Sequence, residues 1–130
     1  MGQSDLNAIL FIFARKSCNI NSEVIIVSSH TWHIEIGDDV TLAPRVHILA
    51  HDASTKMHLN YSRIGKVKIG NRVFVGAGSI ILPGVKIGDN VVVGAGSVVS
   101  RNIPNGQVVA GNPARIICTI GDFLLRKNME

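Results

Sequence analysis

The sequence predicts an all-β solenoid of parallel strands with a triangular cross-section and short terminal helices, and three observations carry that prediction. Residues 69–104 divide without remainder into six hexapeptides, IGNRVF, VGAGSI, ILPGVK, IGDNVV, VGAGSV and VSRNIP, each opening on an aliphatic residue: Ile69, Val75, Ile81, Ile87, Val93 and Val99. Ile, Val and Leu make up 40 of the 130 residues, so six such openers at one phase would arise by chance about once in a thousand trials. The fifth residues, Val73, Ser79, Val85, Val91, Ser97 and Ile103, are all small or branched, as a narrow shared interior requires. Finally, IGNRVFVGAGSIILPGVK and IGDNVVVGAGSVVSRNIP align without a gap and share VGAGS, so three units make one coil of 18 residues.

A helix does not fit this period, because its apolar residues recur at about 3.6. Four of the six units also carry Gly second, which would cost a helix roughly 1 kcal/mol each. Short Val- and Ile-rich runs broken by Gly-Asn and Asp-Asn suit strands and turns instead. Each coil then stacks its opener on that of the coil below.

From the start of the chain, 130 residues with 46% apolar content suffice for one domain with a core. The run LNAILFIF at 6–13 is too short to cross a bilayer and follows Asp5 rather than a basic segment. It reads as a capping helix within an N-terminal segment 1–17, with no transmembrane segment. Residues 18–29 form a degenerate first coil. The phase is clean from Ile36, giving IGDDVT, LAPRVH and ILAHDA. From Ile36 to Ile69 is 33 residues where one coil needs 18, so 15 residues are inserted. A solenoid accommodates them as a loop thrown outward, expected over about 52–67. The repeats run to about 118, ending past the Gly111-Asn112-Pro113 turn. The tail at 119–130 reads as an amphipathic helix with Phe123, Leu124 and Leu125 on its apolar side.

The net charge of +4 is dispersed, and aromatic residues are few, so nothing points to nucleic acid. Cys18 and Cys118 form no motif and read as free thiols in a reducing cytoplasm. Among the five histidines, His51 is the best general base, since it stands where a regular strand meets the inserted loop. His47 lies four residues earlier, a spacing that on strands does not build a metal pair, so no metal is expected. His30, His33 and His58 are expected at the surface.

IGDDVTLAPRVHILAHD, VGAGSIILPGVKIGDNVVVGAGSVVSRNIP and VVAGNPARII resemble segments of the hexapeptide-repeat acyltransferases, above all the galactoside, maltose and capsular-sugar O-acetyltransferases. The resemblance covers about residues 18–118. It implies a left-handed parallel β-helix, an exception to the usual crossover hand. It further implies a homotrimer that uses acetyl-CoA to acetylate a sugar hydroxyl. By the same resemblance His51 deprotonates the acceptor, while Gly76, Ala77, Gly94 and Ala95 leave room for the pantetheine arm. Ser100, Arg101 and Arg115 match positions near the coenzyme; a further basic residue expected at 118 is cysteine here. On the acceptor side we expect Asn19 and Asn21 of the first coil and Asp52, Tyr61 and Arg63 of the loop. Asp52 and Glu35 are the candidates for orienting His51. The runner-up readings are a non-catalytic hexapeptide scaffold and a zinc lyase resembling gamma-class carbonic anhydrase.

Overall fold

The computed structural model describes residues 16–28, 33–52, 54, 56–60 and 63–129. The expected capping segment 1–17 lies almost wholly outside them, as do His30 and Tyr61. A first coil supplies β1 (Asn19–Ile20), β2 (Ile25–Val27) and β3 (Ile34–Ile36). The second supplies β4 (Thr41–Leu42), β5 (His47–Leu49), the outward excursion β6 (His51–Asp52), α1 (Lys56–Leu59) and β7 (Arg63–Ile64), and then β8 (Val67–Ile69). The third supplies β9 (Phe74–Val75), β10 (Ile80–Ile81) and β11 (Lys86–Ile87). The fourth holds β12 (Val92–Val93) and β13 (Val98–Val99), followed by β14 (Gln107–Gly111), β15 (Ala114–Thr119) and the helix α2 (Ile120–Asn128).

Equivalent strands stack into three walls of a left-handed prism. The first wall runs β1-β4-β9-β12-β14-β15, the second β2-β5-β10-β13, and the third β3-β8-β11. All coil-to-coil pairs in the walls are parallel; only β15 returns antiparallel to β14. The expected openers are the core: Val75 pairs with Val93 and Ile81 with Val99, and all six are at most 2% exposed. The six fifth-position residues are buried with them, including Ser79 and Ser97.

Register departs from 18 at three places. Ile26 pairs with Ile48, a spacing of 22, so four extra residues lie between β2 and β3. Ile48 pairs with Ile81, a spacing of 33, which is the inserted loop. Ile87 bridges Ile103, a spacing of 16, so the fourth coil is two residues short. All three changes fall at the edge between the second and third walls.

At the edge between the third and first walls, each coil is bolted to the next by a side chain. Asn71 Oδ1 accepts the Asp38 N–H, Asp89 Oδ1 the Asn71 N–H and Asn105 Oδ1 the Asp89 N–H, at 2.7–2.8 Å. The glycine that precedes each rung is therefore obligatory: a Cβ on Gly70 would collide with Asp89 Oδ1. The first–second edge is tied from inside, where the Ser79 and Ser97 hydroxyls both donate to Gly94 O, at 3.0 and 2.6 Å.

Two expectations are corrected. His33, immediately before β3, is buried at 7% exposure, with Nδ1 3.3 Å from Ser28 Oγ. In α2, Leu124 and Leu125 are 56% and 64% exposed, whereas Ile120 and Phe123 are half-buried. Residues 120, 123 and 127 share one helical face; 124 lies at its edge and 125 turns away from it.

Close stacking sets a test. A Cβ on Gly76 would sit 2.6 Å from Ala95 N, whereas Gly78, at φ 72°, faces open space. Gly76→Ala is expected to cost about 2–3 kcal/mol through overpacking and Gly78→Ala only about 1 kcal/mol through its backbone conformation. Urea unfolding of the two variants measures the difference, and equal midpoints would contradict the packing account.

Candidate active site

His51 is held by the neck of the inserted loop. It pairs antiparallel with Ile64, Asp52 pairs with Arg63, and Gly65 N–H donates to Ala50 O at 3.1 Å. The excursion therefore starts one residue earlier than its expected limit and closes by Gly65, since Val67 already belongs to β8. His51 sits inside the neck and not at the end of a wall strand. The neck is fixed from below, where Ala50 N–H donates to Val27 O at 2.8 Å. It is fixed from above as well, where Gly65 lies so close to Gly84 N that a Cβ would come within 2.6 Å. The His51 side chain is half-buried. Glu35 points outward from the third wall in register with Lys68, and no hydrogen bond joins it to His51.

Two coils farther along the same edge, Ser100 and Arg101 flank a groove of about 210 Å³ whose other side is Ala114, Arg115 and Ile116 of β15. Arg115 is brought there by the hairpin. The β14 strand ends at Gly111, the Asn112–Pro113 peptide is cis, and β15 runs back so that Arg115 pairs with Ala110. Gly111 N–H donates to Ser97 Oγ at 3.1 Å, which ties the hairpin's turn to the first–second edge. The sequence places this serine in the narrow interior but does not reveal the partner of its hydroxyl. Between the His51 neck and Arg101 the edge carries Leu82, Pro83 and Gly84, and nothing stands within 4 Å of a Cβ built on Gly84. With strands about 4.8 Å apart, the two ends of this strip are roughly 10 Å apart along the axis.

The remaining candidates fall elsewhere. Ala77 and Ala95 stand at the first–second edge, across the second wall from His51. Gly76 and Gly94 are small for the stack itself, since a Cβ on Gly94 would come within 3.0 Å of Ala110 Cβ. Asn19 lies at the start of the first wall, and Asn21 Oδ1 accepts the Glu23 N–H at 2.9 Å to close a turn. One chain thus places His51, Ser100 and Arg101 along one edge, brings Arg115 to their groove from the first wall, and leaves Asn19, Asn21, Ala77 and Ala95 elsewhere. Among the described residues no three His, Cys, Asp or Glu side chains are grouped as a metal would require.

The fold has solved counterparts. Residues 66–101 match the bacterial transferase hexapeptide (six repeats) family. Over 88% of its length the chain superposes on 73% of a maltose O-acetyltransferase from Clostridium difficile 630, with a TM-score of 0.68 and 31% identity. The chain belongs to the hexapeptide-repeat acyltransferase family. A galactoside acetyltransferase in complex with coenzyme A is equally similar, at TM-score 0.66 and 32% identity over 91% of this chain and 70% of that one. Protein CapG of Staphylococcus aureus is 44% identical over 71% of this chain and 56% of its own length. The chain spans about half the length of the sequence relatives it matches.

Ser97→Ala removes both the acceptor of the Gly111 N–H and a donor to Gly94 O. The expected loss is about 1–3 kcal/mol, with faster hydrogen exchange at Gly111 by NMR. Unchanged exchange there would detach Ser97 from the placement of Arg115.

Proposed function

We propose that this chain transfers an acetyl group from acetyl-CoA to a hydroxyl of a sugar or polysaccharide precursor, as a cytoplasmic homotrimer. The observation that carries the reading is that His51 shares one open edge with Ser100 and Arg101, whose groove is lined on its other side by Arg115 of the first wall. The matched maltose O-acetyltransferase and the coenzyme A complex of a galactoside acetyltransferase support the donor and the acceptor class.

In this reading neutral His51 removes the acceptor hydroxyl proton as the oxygen attacks the thioester carbonyl carbon. A C–O bond forms, collapse of the tetrahedral adduct breaks the C–S bond, and the imidazolium returns its proton to the leaving thiolate. Backbone N–H groups meet the oxyanion. Arg101 and Arg115 fork onto phosphate oxygens, with Ser100 beside them. Asp52, Tyr61 and Arg63 of the loop contact the acceptor.

The trimer completes the site. The second wall turns a mostly apolar side outward: Ile25 and Val27 are 46% and 39% exposed, and Leu49, Ile80 and Val98 are half-buried beside them, with His47 between Ile25 and Ile80. The third wall presents Glu35, Lys68 and Lys86. Copies packed in a closed ring bury the apolar wall and set the Ala77–Ala95 edge of one copy, with its Asn19 and Asn21, against the His51 edge of the next. Ala77 and Ala95 then lie along the pantetheine arm. Free Cys18 and Cys118 suit a reducing compartment, and among the described residues no helix is long and apolar enough to cross a membrane.

His51→Ala is expected to keep acetyl-CoA binding and the oligomer while losing nearly all transfer, measured by thiol release with maltose or a galactoside; full activity in the variant would remove His51 as the base. Ile25→Glu is expected to shift the sedimentation mass from three chains to one and abolish transfer with it. A variant that stays trimeric would take the second wall out of the interface.

A further inference from the structure

The groove that holds Ser100, Arg101 and Arg115 does not end at Asn102. Asn102, Ile103 and Pro104 also wall a second, shallower groove of about 450 Å³ on the third wall, whose floor includes Lys68 and Lys86. The two grooves adjoin because the fourth coil is two residues short there, so that Asn102 follows directly on the Arg101 corner. Lys86 and Lys68 pair in register, one strand spacing apart and both pointing outward. Like charges directly opposite each other on a sheet are destabilising. Glu35 lies below Lys68, whereas the residue above Lys86 is neutral Asn102, whose Oδ1 accepts the Lys86 N–H at 2.8 Å. The one carboxylate in the second groove, Asp89, is engaged by the Asn71 N–H at 2.8 Å. The chain from Ala53 to Gly88 contains six lysines and arginines and no acidic residue.

The nucleotide end of coenzyme A carries a pyrophosphate and a 3′-phosphate, about four negative charges at neutral pH. Arg101 and Arg115 match two of them. We infer that Lys86, seconded by Lys68, binds the 3′-phosphate of the coenzyme where it passes over the Asn102–Pro104 wall from the groove of Arg101 and Arg115. The inference rests on the acetyl-CoA reading above and adds two binding residues to it. An anion there also relieves the repulsion between the stacked ammonium groups.

The test is calorimetric titration of the full chain with coenzyme A and with 3′-dephospho-coenzyme A, for the wild type, Lys86→Ala, Lys86→Gln and Lys68→Ala. Circular dichroism and sedimentation serve as fold controls. The wild type should prefer coenzyme A by about tenfold or more, one charge-assisted contact being worth about 1.5–3 kcal/mol. Both Lys86 variants should lose most of that preference while binding the dephospho form within about twofold of wild type, and Lys68→Ala should lose part of it. Equal weakening of both ligands, no weakening of either, or a wild type that does not distinguish them overturns the inference while leaving the acetyl-CoA reading standing. A wild type that binds neither ligand at millimolar concentration overturns both.

Discussion

Coil-on-coil stacking at a fixed rise is the constraint on which the rest of this structure depends. Each coil is too thin to bury its own aliphatic residues, so Val75, Val93 and their equivalents leave water only through the coils above and below. That packing demands backbone approach closer than a side chain allows. The Asp38–Asn71–Asp89–Asn105 ladder supplies the matching polar contacts at one edge, and the buried Ser79 and Ser97 hydroxyls at another. Burial and hydrogen bonding therefore enforce the same register.

Because two edges are committed to stacking, variation is confined to the third. The excess of four residues in the first coil, the loop in the second and the deficit in the fourth all fall between the second and third walls. The His51 neck and the Arg101 corner are built from these departures. The regular part of the fold supplies a ruler, and the candidate site lies where the ruler is broken.

The same distinction explains what the sequence disclosed. Period and phase are backbone properties written into every hexapeptide, so the openers, the buried fifth positions and the size of the inserted loop were legible. The position of His51 at the mouth of the loop was legible because it stood at the break in phase, and Arg115 was singled out through the closing motif alone. The hairpin that carries Arg115 to the Ser100 corner is a tertiary event no local pattern encodes. The burial of His33 was not legible because it follows four extra residues in a coil whose repeat is too degenerate to show them. Leu124 and Leu125 were assigned by composition, whereas contact with β14 and β15 selected the face of Ile120 and Phe123. The separation of Ala77 and Ala95 from His51 follows from which edge each turn occupies, and that became visible only once the walls were assigned.

The final strand has a bearing on solubility. A parallel solenoid that stopped after a complete coil would present a row of unpaired backbone groups at the spacing a second molecule needs, an invitation to grow end to end into fibres. Here the fourth coil falls out of step by two residues, and β15 covers β14 with its direction reversed. A newcomer therefore meets an antiparallel strand that does not continue the helical path. The hairpin that brings Arg115 to the groove therefore also covers the last parallel edge of the first wall.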